Sequence, residues 1–109
     1  MPTTTIATDT TLATLINVFT VQPNRQHRLV ELLVAATDEV MRHLPGFVAA
    51  NIHASTDGAK VVNYAQWESE EAFRAMLASP AAQAHMGQAA ELADAYEPHL
   101  YTVESVHHS

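Results

Sequence analysis

Few residues of this chain have chemistry in reach, and three of them stand in strand-like surroundings. Asn63 and Trp67 lie two positions either side of Ala65 in the run Val61-Val62-Asn63-Tyr64-Ala65-Gln66-Trp67. Alternate residues of an extended strand share a face, so both side chains project the same way, with Cα atoms about 13 Å apart. Asn carries an amide N–H2 and Trp an indole N–H. Two fixed donors over an apolar hollow suit an oxygen atom on a flat hydrophobic ligand. The same two residues would also serve as a core aromatic and an amide bonded to nearby backbone. Asn17 interrupts the apolar run from Leu15 to Val21 in a similar way. There are seven histidines: His27, His43, His53, His85, His99, His107 and His108. No pair has the spacing of a helical metal site, and no carboxylates cluster around them, so no metal is expected. His107-His108 reads as a solvated tail. His85 falls on an alanine-rich stretch from which it could reach a hollow. An ordinary imidazole titrates near about 6.5, which suits proton transfer at neutral pH.

The elements that must position these groups follow from periodicity. Residues 1–11 include six threonines and no helical repeat, and read as a flexible N-terminal arm ahead of a single domain over 12–109. Leu15 to Val21 is β-branched and aromatic, a strand. Gln22-Pro23-Asn24 stops it and offers Asn24 as a helix N-cap. From Arg25 to Leu44 the apolar residues Leu29, Leu33, Ala36, Val40 and Leu44 recur at helical steps, until Pro45-Gly46 ends the helix. Phe47 to Ser55 and Lys60 to Glu68 read as a hairpin around Asp57-Gly58. That turn sets Ile52 opposite Asn63 and Val48 opposite Trp67, and puts His53 on the face of Tyr64 and Gln66. Ser69 caps a short helix through Ala78, with Glu70 and Glu71 favourable in its first turn. Its stripe Phe73, Met76 and Leu77 is core or pocket wall. Ser79-Pro80 opens an alanine-rich helix to about Ala95. After Pro98, Leu100 to Val106 reads as the last strand. The order is β-α-β-β-α-α-β, an α+β domain.

Composition narrows the function. Five basic against 12 acidic residues leave a net charge of −7, which disfavours nucleic acid and anionic membrane as partners. The absence of cysteine removes disulfide, thiolate and iron–sulfur chemistry. Gly46, Gly58 and Gly87 are too scattered for a phosphate loop. The first basic residue is Arg25, so no signal or transit peptide is expected, and a cytoplasmic location is the expectation. Both the first and third strands are apolar on both sides, whereas the chain's own helices can cover one. A homodimer packed through its sheet faces is the economical cover.

The strings Pro45-Gly46-Phe47, His53-Ala54-Ser55-Thr56-Asp57-Gly58 and Val61-Val62-Asn63-Tyr64-Ala65-Gln66-Trp67-Glu68-Ser69 resemble the antibiotic biosynthesis monooxygenase family. Within it, they are most similar to the small cofactor-free anthrone oxygenases of aromatic polyketide pathways. The resemblance runs from about residue 15 to 106 in element order and is dense between Gln26 and Arg74. It implies a ferredoxin-like, dimeric α/β barrel with one pocket per subunit between sheet and helices. It also implies oxidation of a polycyclic phenolic anthrone to a quinone by O2, without flavin, metal or haem. The family's asparagine and tryptophan match Asn63 and Trp67. Ile52 and Phe73 take the places of two pocket tyrosines, and Met86, beside His85, that of a relay arginine. The resemblance therefore assigns catalysis to Asn63 and Trp67, with His85 as a substitute in the relay, and substrate contact to Asn17, Ile52, Phe73, Met76 and Met86. A deprotonated anthrone is an enolate able to reduce O2 itself. The protein then needs an apolar slot, donors for the oxyanion and a route for protons. Two other readings stay open. A haem-degrading family with the same barrel resembles the chain at Asn17, its tryptophan falling near Met76 and its haem-ligating histidine near Met86. Non-catalytic, small-ligand-binding or stress-response dimeric barrels share the architecture.

Overall fold

The chain runs β1 (Ala13–Thr20), α1 (Gln26–Glu39), β2 (Phe47–Ala54), β3 (Lys60–Trp67), α2 (Glu70–Leu77), α3 (Pro80–Leu92) and β4 (Ala95–Tyr101). This is a computed structural model that describes all 109 residues. The strands form one antiparallel sheet in the order β2-β3-β1-β4, and the helices cover one face of it, the expected ferredoxin-like α+β arrangement.

Local chemistry explains most boundaries. Ser69 and Ser79 cap α2 and α3 by accepting the backbone N–H of Ala72 and Ala82, and Pro80 fills the first turn of α3. At the hairpin Gly58 has φ +82, and the Asp57 carboxylate accepts the Ser55 hydroxyl at 2.7 Å and the Ala59 N–H at 3.0 Å. The register follows: Ile52 lies opposite Asn63 and His53 opposite Val62. It then slips. A bulge makes Phe47 rather than Val48 the partner of Trp67, and Val48 is left 42% exposed. The exchange sets Phe47 edge-on to the indole, with ring centroids 5.5 Å apart and planes at 89°, a favoured aromatic geometry.

Four other boundaries differ from the periodicity reading. The first long helix ends at Glu39, not Leu44: Val40 leaves helical geometry, and Met41–His43 form a 3-10 turn. Leu44 must become extended before Pro45, and the tighter turn brings Met41 and Leu44 onto the Trp67 cluster. Asn24 sits inside the 3-10 turn Pro23–Arg25 and caps nothing, since Arg25 holds the capping position with no side-chain bond. The last helix ends at Leu92 and the last strand begins at Ala95, not Leu100. Pro98 is tolerated inside it because β4 is an edge strand, where a missing N–H disrupts no ladder on the open side.

Residues 1–11 form neither helix nor strand, and two hydrogen bonds join them to the sheet. The Thr4 hydroxyl donates to Asn51 Oδ1 at 2.7 Å, and Gln66 Nε2 donates to the Thr5 carbonyl at 2.8 Å. The uncovered sheet face supplies these partners, and Gln66 is buried as a result.

Between sheet and helices the apolar side chains gather in two clusters. One joins Phe19, Val21, Leu29, Val61 and Ala89; the other joins Trp67, Met76 and Ala82.

Candidate functional site

Between the two clusters the packing opens into a cavity of about 340 Å³, bounded by the sheet, α1, α2 and α3. Its floor comes from the strand register. Antiparallel pairing sets Asn17 on β1 directly against Asn63 on β3, with Leu15 against Ala65 and Phe19 against Val61 on the same face. Opposed residues in such a ladder carry their Cβ atoms about 4.5–5.5 Å apart. Two carboxamides therefore stand side by side in a floor that is otherwise apolar. Trp67 closes one end, 2% exposed.

The roof owes its shape to alanine. Ala82 and Ala89 on α3 are buried at 0% and 3% exposure, so the helix backbone approaches closely while their short side chains leave space between. His85 and Met86 reach the cavity from that gap, Phe73 and Met76 from α2, and Leu33 and Ala36 from α1. Thr37 also lines it, but its hydroxyl already donates to the Leu33 carbonyl at 2.8 Å. Tyr96, 55% exposed, and Pro98 stand on the β4 side and form the mouth.

Three buried side-chain polar atoms of the chain have no hydrogen-bond partner: Asn17 Oδ1, Asn63 Oδ1 and His85 Nδ1. All three residues line this cavity. A buried polar atom left unsatisfied costs about 1–3 kcal/mol, so such atoms are rare and rarely gathered. Carried by three residues that line one apolar hollow, they describe a place that a ligand with its own polar groups completes.

Asn17, Asn63, Trp67, Phe73, Met76, His85 and Met86 surround the cavity. Ile52 does not. It stands opposite Asn63 but on the outer strand β2, where it packs on the Phe19–Leu29 cluster. Ala50, one same-face step along β2, lines the cavity in its stead, its small side chain leaving room. Leu77, expected in the α2 stripe, is 41% exposed. Tyr96 and Pro98 were missed because the strand was expected to start after the proline. The alternation of Tyr96, Pro98 and Leu100 with Glu97 and His99 was the available signal.

No three His, Asp or Glu side chains stand close enough together to hold a metal ion. His27 and His99 face Glu31 and Glu97 on the surface, and His43 and His53 bond to backbone carbonyls. Two ionisable groups are shifted, both on the surface. The Ala59 N–H and then the Ser55 hydroxyl hold the Asp57 carboxyl below its ordinary value, and a hydrogen bond to Glu70 raises Arg74.

Residues 13–88 match the antibiotic biosynthesis monooxygenase (ABM) domain. Tetracenomycin-F1 monooxygenase of Streptomyces glaucescens is 53% identical over 81 residues, 74% of this chain and 72% of the relative. The chain belongs to the antibiotic biosynthesis monooxygenase family. Among solved structures, the ActVA-Orf6 monooxygenase of Streptomyces coelicolor, bound to nanaomycin D, superposes with a TM-score of 0.80. It is 36% identical, with 89% of this chain and 91% of that one covered. SnoaB of Streptomyces nogalater, a cofactor-independent oxygenase, gives a TM-score of 0.78 at 25% identity, covering 88% and 96%. This ABM protein is a monooxygenase of the cofactor-independent kind, and its family fold is the one described above.

Proposed function

We propose that the cavity binds a polycyclic phenolic substrate of the anthrone type, as made in aromatic polyketide pathways, and that the enzyme oxidises it to a quinone with O2. The observation that carries this reading is the set of three orphaned polar atoms in a hollow bounded mainly by Leu, Ala, Met and aromatic side chains. A fused-ring phenol is largely apolar with a few oxygens on its rim, which is the complement of that lining.

The chemistry needs no resident oxidant because the substrate is the reductant. Loss of a proton gives an electron-rich enolate. One electron passes to O2, the resulting radical pair joins as a carbon-bound peroxide, and water leaves. In sum one CH2 becomes C=O, and the second oxygen atom departs as water. Asn17 and Asn63 donate their amide N–H2 groups to the developing oxyanion, their unpartnered Oδ1 atoms accept from the phenol hydroxyls of the substrate, and Trp67 walls the slot and offers its indole N–H. Preorganised donors in an apolar site stabilise such an anion far more than water would.

The test is an oxygen-electrode trace on purified enzyme with dithranol, an anthrone, and nothing else added. Uptake of one O2 per quinone formed is expected. No uptake above the uncatalysed rate rejects the oxygenase reading in favour of a binding protein.

The same reading includes a homodimer. Only 13 of 109 residues are buried in the isolated chain. The outer sheet face carries Ile16, Val18, Val62 and Tyr64 with no helix above them. A second sheet is the cover that matches its shape. Light scattering should give twice the chain mass, and Val62→Asp should halve it.

A further inference from the structure

The proposed oxidation begins with the loss of a proton, and the cavity holds one imidazole that can accept it. We propose that His85 is the general base, accepting the hydroxyl proton of the bound substrate's enol on Nδ1. This rests on the oxygenase reading above. Of all the residues around the cavity only His85 and Tyr96 are ionisable; no Asp, Glu, Lys or Arg lines it. Tyr96 is a phenol, no more basic than the substrate it would have to deprotonate, and it stands half-exposed at the mouth.

The state of the His85 ring supports the role. Its Nδ1 is buried with no partner in the chain, so with the proton on Nε2 an unsatisfied lone pair is left on a residue that lines the apolar hollow. Four other histidines each have one ring nitrogen engaged. His27 and His99 face carboxylates at 2.8 and 3.3 Å, and His43 and His53 face carbonyls at 3.0 and 3.1 Å. The ring is also carried rigidly, since Ala82 and Ala89 bury the same face of α3 on either side of it. A base on a packed helix is held more exactly in place than one on a loop.

The proton balance closes without another group. Nδ1 takes the proton and the electron pair stays on the substrate oxygen, giving the enolate and an imidazolium. After the electron has passed to O2 and the carbon-bound peroxide has formed, the imidazolium returns that proton to the peroxide. The O–O bond then breaks with loss of the remaining hydrogen on the same carbon, leaving the quinone carbonyl and water. His85 ends neutral.

Oxygen uptake with dithranol by wild type, His85→Gln, His85→Ala and Asn63→Ala tests this. Positioned general bases contribute about 10²–10⁴-fold, so both His85 variants should lose at least about 100-fold in kcat. Their binding, read by quenching of Trp67, the single tryptophan, should persist. Free imidazole should restore part of the rate of His85→Ala and none of Asn63→Ala. Raising the pH until dithranol enters as its anion should restore His85→Gln, which keeps the test open if the alanine variant does not fold. Variants that bind dithranol and turn over at the wild-type rate, or that neither imidazole nor high pH revives, overturn the assignment. An active wild type with unaffected variants removes the base alone, whereas an inactive wild type removes the oxygenase reading and the base together.

Discussion

The helix-covered face of the sheet is packed in two different ways along its length. At one end Phe19, Leu29 and Val61 meet with nothing polar among them, Leu29 and Val61 fully buried. A few ångströms along the same strands, Asn17 and Asn63 stand opposed under a roof thinned to alanine, and the packing stops short of closing. Strand, face and helices are shared, so the difference is one of side chains alone. The first region is there to be stable; the second keeps unsatisfied amides in a hollow, at a stability cost, so that something else can satisfy them. The two regions should therefore respond to substitution in opposite ways.

The largest effect is expected at the solid end. Leu29→Ala removes a fully buried side chain and should destabilise by about 2–5 kcal/mol. For a domain of this size each kcal/mol lowers Tm by roughly 4–8 °C, which differential scanning calorimetry would register. Turnover by the fraction that remains folded should be close to wild type. A variant with its Tm intact and its turnover lost would erase the distinction between the regions.

At the hollow end the pattern reverses. Asn63→Ala should cost about 10²–10³-fold in turnover, the usual loss for one oxyanion donor, with Tm unchanged or raised. Trp67→Phe should follow at more than tenfold, with the dimer intact by light scattering. Asn17→Leu sharpens the contrast most. It replaces an unpartnered amide by an apolar group of similar size, so it should not lower Tm, yet it should depress turnover at least tenfold. A fall in Tm in that variant would mean that the Asn17 amide holds the fold rather than a ligand.

Gly46 immediately precedes β2 and lies against α2, at the Trp67 end. It has φ +84, and a Cβ there would strike the Ala72 Cβ. Gly46→Ala should cost about 1–3 kcal/mol, read from a urea titration. It should disturb the Trp67 end more than the Leu29 end, which hydrogen exchange of β3 against α1 would show.

This division also marks how far the residues could be read without coordinates. The element order, the Asp57-Gly58 turn and the Ile52–Asn63 register followed from period-2 alternation and turn chemistry, which are local. From that register Asn63 and Trp67 could be placed on one face. The Asn17–Asn63 pairing could not, because nothing in a strand names its non-consecutive neighbour. Nor could Ala50 be preferred to Ile52, since both share a face and only the closeness of α1 separates core from cavity. The strand through Pro98 was hidden by a rule that holds in a sheet interior and lapses at its edge. His85 could be seen as a histidine on a helix. Its free nitrogen became visible only once every nearby group was accounted for.

The smallest effect lies outside both regions, at the hairpin tip, and tests whether local turn chemistry acts independently of them. The Asp57 carboxylate is held below its ordinary value of 3.8 by the Ala59 N–H and the Ser55 hydroxyl. A group whose folded value is depressed adds stability above its unfolded value and gives it up as pH falls through the folded one. Wild type should therefore be slightly more stable than Asp57→Asn at neutral pH, and the gap should close as the pH drops below 3.8. Because the carboxylate is fully exposed, solvent screening keeps the gap small. Turnover in Asp57→Asn should match wild type at every pH where both are folded. A gap that widened toward acid would show that the turn favours the protonated carboxyl, contrary to the two donors aimed at it.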